Sequence, residues 1–324
     1  MVDETMKNDI ADEAAVPAVP VREGQKKPKK PSNPMAKREN LVGWLFCSPI
    51  IVGILVFTAL PVILSLISMF YEWRGGSTFV TDAQMIGFDN FKKVFGDPEK
   101  KYLISLKNMI LFAIQIPIGL FLGMFLGIAM NRAMKGVQTF RILYYLPSVM
   151  SVVAVTLVFQ KMFNVSGYIN NLLGTKVNWL DSKAGMAFTV NFMMIWKGVG
   201  YTALMYVAGL QSVSTDQLEA ARIDGANAWV IFYKITLPAL YPITFYLLVT
   251  GIMGGLQVFN EPYILATVEH GTNFNAITPI SYVYWARRGE NYGASAVAAW
   301  FLALIILIVT LIQMYFDNKK DKEA

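Results

Sequence analysis

The chain has 324 residues, of which 55% are hydrophobic and 15% are charged, and its mean hydropathy is +0.45. Soluble domains carry about 25% charged residues, so this composition indicates a protein of the lipid bilayer. The net charge is +6, with one cysteine and one histidine, which excludes an internal disulfide and a zinc site of cysteine and histidine, and does not indicate a nucleic-acid partner.

The first 40 residues are polar and rich in proline, lysine and alanine, without the apolar pattern of a folded core. They include the basic stretch KKPKKPSNPMAKR at 26–38. We expect residues 1–40 to form a disordered cytoplasmic tail whose charges keep the start of the first helix inside. The apolar run that follows is too long for the apolar region of a signal peptide.

Six apolar runs follow, each long enough to cross about 30 Å of hydrocarbon as a helix. An even number of crossings places both termini on one side, and the lysine and arginine counts favour the cytoplasm. The predicted fold class is therefore an all-α, polytopic membrane protein. The predicted spans are 41–70, 103–130, 142–163, 184–210, 239–265 and 293–316.

These spans define the predicted organisation of the chain. Cys47 lies in the first span, where a small buried side chain is expected. Gly119, Gly123 and Gly127 in the second span allow close helix contact, either within the chain or between subunits, and we favour contact within the chain. The predicted domains are a tail (1–40), a first helix with its outer loop (41–102), a five-helix core (103–316) and a cytoplasmic tail (317–324).

A polar segment, EAARIDGANAWVIFYKITLP at 219–238, separates the fourth and fifth spans. Ser214 and Gln217 have the spacing of a capping box, and Asp216 is an alternative N-cap, so a helix is predicted to begin here. Gly225 should end that helix and permit a turn.

A second short helix is expected after this turn. It places Trp229, Phe232 and Tyr233 on one face, at the spacing i, i+3, i+4. Leu237-Pro238 is expected to end it and to redirect the chain into the fifth span. Residues 214–238 are thus predicted to form a rigid projection of two short helices.

The spacing E-A-A, three residues, Gly, nine residues, I-x-L-P resembles the EAA loop of permease subunits in ATP-binding-cassette (ABC) importers. We call residues 214–238 the coupling segment. The resemblance implies that it docks into separate ATPase subunits, with ATP and Mg bound there and no cofactor bound by this chain. The alternative is an ordinary amphipathic loop. The residues implied in ATPase coupling are Glu219, Ala220, Ala221, Asp224, Gly225, Ile235, Leu237 and Pro238.

Further motifs are similar to those of the carbohydrate-uptake, or maltose-permease-like, branch of these permeases. They include Phe140-Arg141 with Pro147, and Gly87-Phe88-Asp89-Asn90, and the resemblance covers about 41–316. It implies a type I ABC importer permease fold in the bacterial cytoplasmic membrane. The implied partners are a second homologous permease, two ATPase subunits, an extracytoplasmic solute-binding protein and a carbohydrate.

One family motif is missing. These permeases often carry L-T-x-G-G-P after the fifth span, whereas this chain reads LATVEHGTN at 265–273. The conformation of that outer loop is therefore left open.

A substrate cavity is predicted beside Lys197, because an ionisable side chain midway along a span normally faces a wet cavity or a partner. Trp196 and Tyr201 offer aromatic faces and polar edges for a sugar. The alternatives are that Lys197 extends toward the interface or pairs with Glu261, and that Trp196 only packs. Whether the sugar is neutral or acidic stays open. The predicted cavity residues are Trp196, Lys197, Gly198, Tyr201, Gln257, Asn260 and Glu261.

The sequence disfavours two other function classes. An ion-coupled secondary transporter should show repeated halves with broken helices at matching positions, and no such repeat is evident. A membrane enzyme needs a cluster of histidine, aspartate or cysteine, which the sequence lacks. The sequence has no G-x-x-x-x-G-K-[ST] phosphate loop, so we expect no catalytic residues and no metal site in this chain.

Overall fold

A computed structural model describes residues 34–73, 83–131, 136–266 and 274–323. Residues 1–33 of the predicted tail, and Glu269 and His270 of the loop after the fifth span, lie outside this part. The chain divides into two units, residues 1–60 and 61–324, and each is described by itself.

The described part of the first unit is an apolar helix that begins earlier than predicted. It comprises α1 (Pro34–Ile54) and a π-helical turn, π1 (Leu55–Ala59), so residues 34–40 are helical and not a disordered tail. No residue from Val42 to Leu60 is buried, and Cys47 is exposed, against the prediction. An apolar surface on all sides is typical of a helix that lies in lipid.

The second unit begins with a helix and a small loop structure. The two-residue strands pair antiparallel, with Tyr71 opposite Met85, within the predicted outer loop. The elements up to the third span are α2 (Leu60–Ser68, whose first residue belongs to the first unit), β1 (Tyr71–Glu72), β2 (Gln84–Met85), α3 (Asp89–Phe95), α4 (Lys101–Ala113) and α5 (Gln115–Met130).

The remaining described elements of this unit are all helical. They are α6 (Val137–Val149), α7 (Val152–Phe163), α8 (Tyr168–Leu173), α9 (Lys183–Leu210), α10 (Thr215–Ile223), α11 (Ala228–Ile231), the π-helical turn π2 (Phe232–Thr236), α12 (Leu237–Ala239), α13 (Tyr241–Gly255), α14 (Asn260–Ala266), α15 (Pro279–Arg288) and α16 (Tyr292–Glu323).

Five helical segments of the described chain are long and apolar enough to cross a membrane. The fourth predicted span forms one continuous helix of 28 residues, α9, but Asn191, Lys197 and its tyrosines make it less apolar than these five. Because α9 is covered by other helices over much of its surface, it does not need an apolar exterior. The five segments are Val42–Ser68, Lys101–Met130, Val152–Leu173, Tyr241–Ala266 and Tyr292–Asp317.

In two predicted spans the backbone leaves the helical conformation, whereas in the second span, between α4 and α5, only the hydrogen-bond pattern is interrupted, at Ile114. The third is split between α6 and α7, because Met150 (ψ 148°) and Ser151 (ψ 127°) are extended. The fifth is split between Gly255 and Asn260. In addition, α16 continues to Glu323, so residues 317–323 of the predicted tail are helical.

Helix α9 lies at the centre of the packing in the second unit. Met186, Val190, Ala203 and Tyr206 on this helix are at most 1% exposed. Where α5 crosses it, a Cβ added to Gly127 would lie 2.8 Å from the Tyr206 Cβ. Gly123 and Gly127 therefore serve close contact within the chain, as predicted, whereas nothing lies within 4 Å of a Cβ added to Gly119.

Candidate functional site

The coupling segment begins with α10, as predicted, but without the predicted capping box. Ser214 is the N-cap residue, and its side chain accepts no hydrogen bond. The ordinary first backbone bond of the helix is present, with the Leu218 N–H donating to the Ser214 carbonyl at 3.3 Å. Asp216 lies in this first turn, where its negative charge is favoured by the helix dipole.

Gly225 makes the predicted turn after α10. Its φ is +79°, a conformation that is costly for residues with a Cβ. The Ala226 N–H donates to the Ala221 carbonyl at 2.9 Å, the long backbone bond that closes many helix ends. The next helix is capped by Asn227, whose Oδ1 accepts from the Val230 N–H at 2.9 Å; its residue type could have indicated this cap.

The second helix of the segment continues past the position where we expected it to end. Helix α11 passes into π2, where the Leu237 N–H donates to the Phe232 carbonyl five residues earlier. The wider turn accommodates Pro238, which has no N–H and would collide with a carbonyl in a regular helix. Pro238 therefore lies inside a widened helix and does not terminate it.

The predicted aromatic face of this helix is present. The ring centroids of Trp229 and Tyr233 are 6.2 Å apart, and those of Phe232 and Tyr233 are 5.2 Å apart. Trp229 is 70% exposed and Tyr233 is 59% exposed. Large exposed aromatic groups on a rigid element are typical of a protein-binding surface.

Most residues predicted to bind the ATPase are accessible. Within the described residues, Glu219 and Asp224 make no ion pair, so their charges are available to another protein. Of the predicted set, Glu219, Ala220, Asp224, Gly225 and Pro238 are exposed, and Ala221, Ile235 and Leu237 are half-buried.

Both ends of the coupling segment are anchored in one hydrophobic cluster. Val213 before it and Leu240 after it pack with Tyr206, Leu210 and Leu247. Leu240 is 0% exposed. A segment held at both ends by a packed cluster transmits a displacement to the helices that carry it, whereas a loosely attached loop would not.

A cavity of about 310 Å³ lies among α5, α9 and α13. Two residues of the predicted set, Gly198 and Tyr201, line it. The lining residues are Gln115, Ile116, Gly119, Leu120, Met194, Ile195, Gly198, Val199, Tyr201, Thr202, Tyr246, Leu247, Thr250 and Gly251.

Sequence reasoning missed the polar cavity residues outside α9. Gln115 comes from α5, and Tyr246 and Thr250 come from α13. The Thr250 hydroxyl donates to the Tyr246 carbonyl at 2.8 Å, so its hydrogen is already used. A polar side chain inside an apolar run was the available signal for Gln115 and Tyr246.

The other predicted cavity residues do not line this cavity. Trp196 packs against Phe159, with ring centroids 5.6 Å apart. Lys197 is half-buried and forms no ion pair within the described residues, so the alternative pairing with Glu261 is not formed. The reason is helical geometry: the lining face of α9 is centred near Gly198 and Thr202, and Lys197 lies about 100° around the helix from Gly198, at the edge of this face beside Tyr201.

The remaining members lie near the break of the fifth span. The Gln257 Nε2 donates to the Met253 carbonyl at 3.0 Å. Asn260 is exposed and Glu261 is half-buried, both in the first turn of α14. In the described part of the chain no group of three or more histidine, cysteine, aspartate or glutamate residues could hold a metal ion.

Comparison with known proteins identifies relatives along nearly the whole chain. The family model "Binding-protein-dependent transport system inner membrane component" matches residues 115–322. The probable ABC transporter permease protein YesP of Bacillus subtilis (strain 168) is 34% identical over 301 residues, which cover 89% of this chain and 95% of that protein. The lactose transport system permease protein LacF of Rhizobium radiobacter is 28% identical over 288 residues, covering 86% and 94%.

A solved structure has the same fold. A chain in the crystal structure of a bacterial ABC transporter involved in the import of the acidic polysaccharide alginate aligns with a TM-score of 0.76 and 24% identity. The alignment covers 89% of this chain and 99% of that chain.

Proposed function

This chain belongs to the family of binding-protein-dependent transport system inner membrane components, and we propose that it is the permease subunit of an ATP-driven carbohydrate importer. It would work with a second permease, two ATPase subunits that bind ATP and Mg, and an extracytoplasmic solute-binding protein. Both termini and the coupling segment would lie on the cytoplasmic side of the bacterial cytoplasmic membrane. The family match disfavours the alternative of an ion-coupled secondary transporter.

The coupling segment is the observation that carries this proposal. It presents exposed carboxylates at Glu219 and Asp224 and exposed aromatic rings at Trp229 and Tyr233. Because its ends are fixed in the cluster around Leu240, a push on it moves α9 and α13, and both helices line the cavity. A rigid element that joins two distant sites in this way supports coupling between ATP hydrolysis and access to the cavity.

The cavity supports a carbohydrate as the transported molecule. Its size of about 310 Å³ lies within the range of about 300–1,000 Å³ found for ligand sites. Tyr201, Tyr246 and Gln115 offer aromatic surface and hydrogen-bonding groups to a sugar. The lining contains no charged side chain, which favours a neutral saccharide over an acidic one, and a relative is a lactose transport system permease protein.

Association with an ATPase subunit tests the proposed coupling. We expect the chain to co-purify with an ATPase subunit, and Glu219→Ala to raise the dissociation constant roughly tenfold or more, since a lost hydrogen bond to a charged group costs about 1.5–3 kcal/mol. Gln217→Ala, an exposed change on the same helix outside the motif, is the control. Sugar uptake by a preparation that contains no ATPase subunit would instead support an ion-coupled transporter.

Ligand-stimulated ATPase activity of the reconstituted importer tests the cavity. With lactose as the first neutral probe and a uronate disaccharide as the acidic one, we expect stimulation by neutral sugars. Tyr201→Ala should raise the half-stimulating concentration about tenfold, the effect of losing one or two hydrogen bonds and an aromatic contact.

Two matched variants complete this test. Thr202→Val should have little effect, because the Thr202 hydroxyl already donates to the Gly198 carbonyl at 3.2 Å. Lys197→Met should also leave the half-stimulating concentration of neutral sugars unchanged. Stimulation by the uronate alone, abolished by Lys197→Met, would contradict the neutral cavity.

A further inference from the structure

The backbone hydrogen-bond pattern of the second span is interrupted beside the cavity, at Ile114, whose dihedral angles stay helical (φ −58°, ψ −29°). Helix α4 ends at Ala113 and α5 begins at Gln115, with Ile114 between them. In a continuous helix the Gln115 N–H would donate to the Leu111 carbonyl, four residues earlier. Pro117 follows the interruption. Since it has no N–H, the regular bond from residue 117 to the Ala113 carbonyl is missing as well.

The side-chain amide of Asn191 occupies the place of this missing bond. Its Oδ1 accepts from the Gln115 N–H at 2.8 Å, and its Nδ2 donates to the Leu111 carbonyl at 3.0 Å. The Nδ2 also donates to the Ala187 carbonyl at 2.7 Å, on its own helix. One amide thus satisfies both groups of the missing Gln115–Leu111 bond and ties α9 to the second span.

The residues that follow the break form one wall of the cavity. Gln115 and Ile116 both line it. Ile116 also fills a groove in α13, where a Cβ added to Gly255 would lie 2.6 Å from its Cδ1 and one added to Gly251 would lie 3.3 Å from its Cγ2. The place of Gln115 in the cavity therefore depends on the position of the break.

We propose that Asn191 is a positioning residue for transport. Its amide replaces the Gln115–Leu111 backbone bond and keeps the hydrogen-bond pattern of the second span interrupted at Ile114. It thereby presents the Gln115 side chain to the cavity. The role of Asn191 in transport rests on the function proposed above, whereas the positioning is a property of this chain alone. Unpaired backbone groups in a membrane span are costly. Without the amide, the Gln115 N–H is driven back toward the Leu111 carbonyl, and the Gln115 side chain turns with it.

Thiol labelling of the assembled importer in lipid nanodiscs tests this positioning without knowledge of the sugar. The chain has a single cysteine, Cys47, so Cys47→Ser provides the background. In it, Gln115→Cys keeps the backbone N–H that Asn191 binds and places a thiol at the cavity wall. We expect a cationic methanethiosulfonate reagent to label this thiol about tenfold more slowly when Asn191→Leu is added, the factor expected for the loss of about one net hydrogen bond.

Two controls separate positioning from general damage. Thr189→Val is a matched change on the same helix, since Thr189 is 0% exposed and its hydroxyl has no hydrogen-bond partner among the residues that the structure describes. It should leave labelling of the Gln115→Cys thiol unchanged. Tyr246→Cys reports on the same cavity from α13 and should keep its labelling rate in the Asn191→Leu background.

Two outcomes would overturn the proposal. The first is equal labelling of the Gln115→Cys thiol with and without Asn191. The second is an equal loss of labelling at Gln115→Cys and Tyr246→Cys, which would make Asn191 a general packing residue. If Asn191→Leu does not accumulate, Asn191→Ser, which is too short to reach both backbone groups, replaces it with the same expectation. If the unmodified chain did not associate with an ATPase subunit or support sugar uptake, the proposed function would be refuted. The positioning by Asn191 would not be affected.

Discussion

Gly225→Val should reduce ATP-driven sugar uptake by about tenfold or more, while the chain still folds and inserts. Gly225 has a φ of +79°, and no atom lies within 4 Å of where a Cβ would be. The cost is therefore backbone strain and not a collision, and for a residue with a Cβ it is about 1–2 kcal/mol. To relieve it, α10 and α11 must reorient, and the surface presented to the ATPase is lost.

The measurement is the rate of ATP-driven sugar uptake by the reconstituted importer, normalised to the amount of inserted chain. Gly225→Asn is the matched control, because asparagine tolerates the left-handed conformation far better than a β-branched residue does. We expect it to retain most of the uptake. If the asparagine and valine variants were equally defective, the backbone conformation would not be the cause.

Gly200→Ala should sharply lower the yield of folded chain and its thermal unfolding midpoint. A Cβ at this position of α9 would collide with the main-chain carbonyl oxygen of Tyr144 in α6, and would lie 3.0 Å from the Cα of Tyr145. Because the obstacle is backbone, no side-chain rotation can relieve it. The two helices must separate, and overpacking of this kind costs about 1–3 kcal/mol or more.

The matched control is Gly198→Ala, two residues earlier on the same helix, where nothing lies within 4 Å of the added Cβ. The yield of monodisperse chain after extraction and its thermal unfolding midpoint are the readouts. A midpoint for Gly200→Ala equal to that of Gly198→Ala would show that α6 and α9 do not approach as closely as described.

Local sequence accounts well for the coupling segment. The helix start at Thr215, the left-handed turn at Gly225 and the aromatic face at Trp229 all follow from the preferences of nearby residues. Such preferences act over a few residues, so they can be read without knowledge of the rest of the fold. The widened turn before Pro238 departs from this expectation only because a π-helix offers proline an alternative to ending the helix.

The helical spans were also predictable from local composition, but their interruptions were less so. Runs of apolar residues predict helices that cross a membrane because backbone groups must pair within each segment. In the third span Pro147 lies three residues before the break at Met150 and Ser151, but a proline alone does not say whether a helix bends or ends. In the second span, Pro117 indicated a disturbance, but the partner that stabilises it, Asn191, is 76 residues away from Gln115 in the chain.

Composition, the helical spans and the form of the coupling segment were determined by the sequence itself, because each depends on neighbouring residues. Only the tertiary structure decided which side of each helix lines the cavity, why Tyr246 and Gln115 belong to it, and why Lys197 does not. In a soluble helix the apolar stripe marks the inward face, whereas in a membrane span lipid and protein contacts are both apolar. The inward direction is then set by how the helices pack against one another.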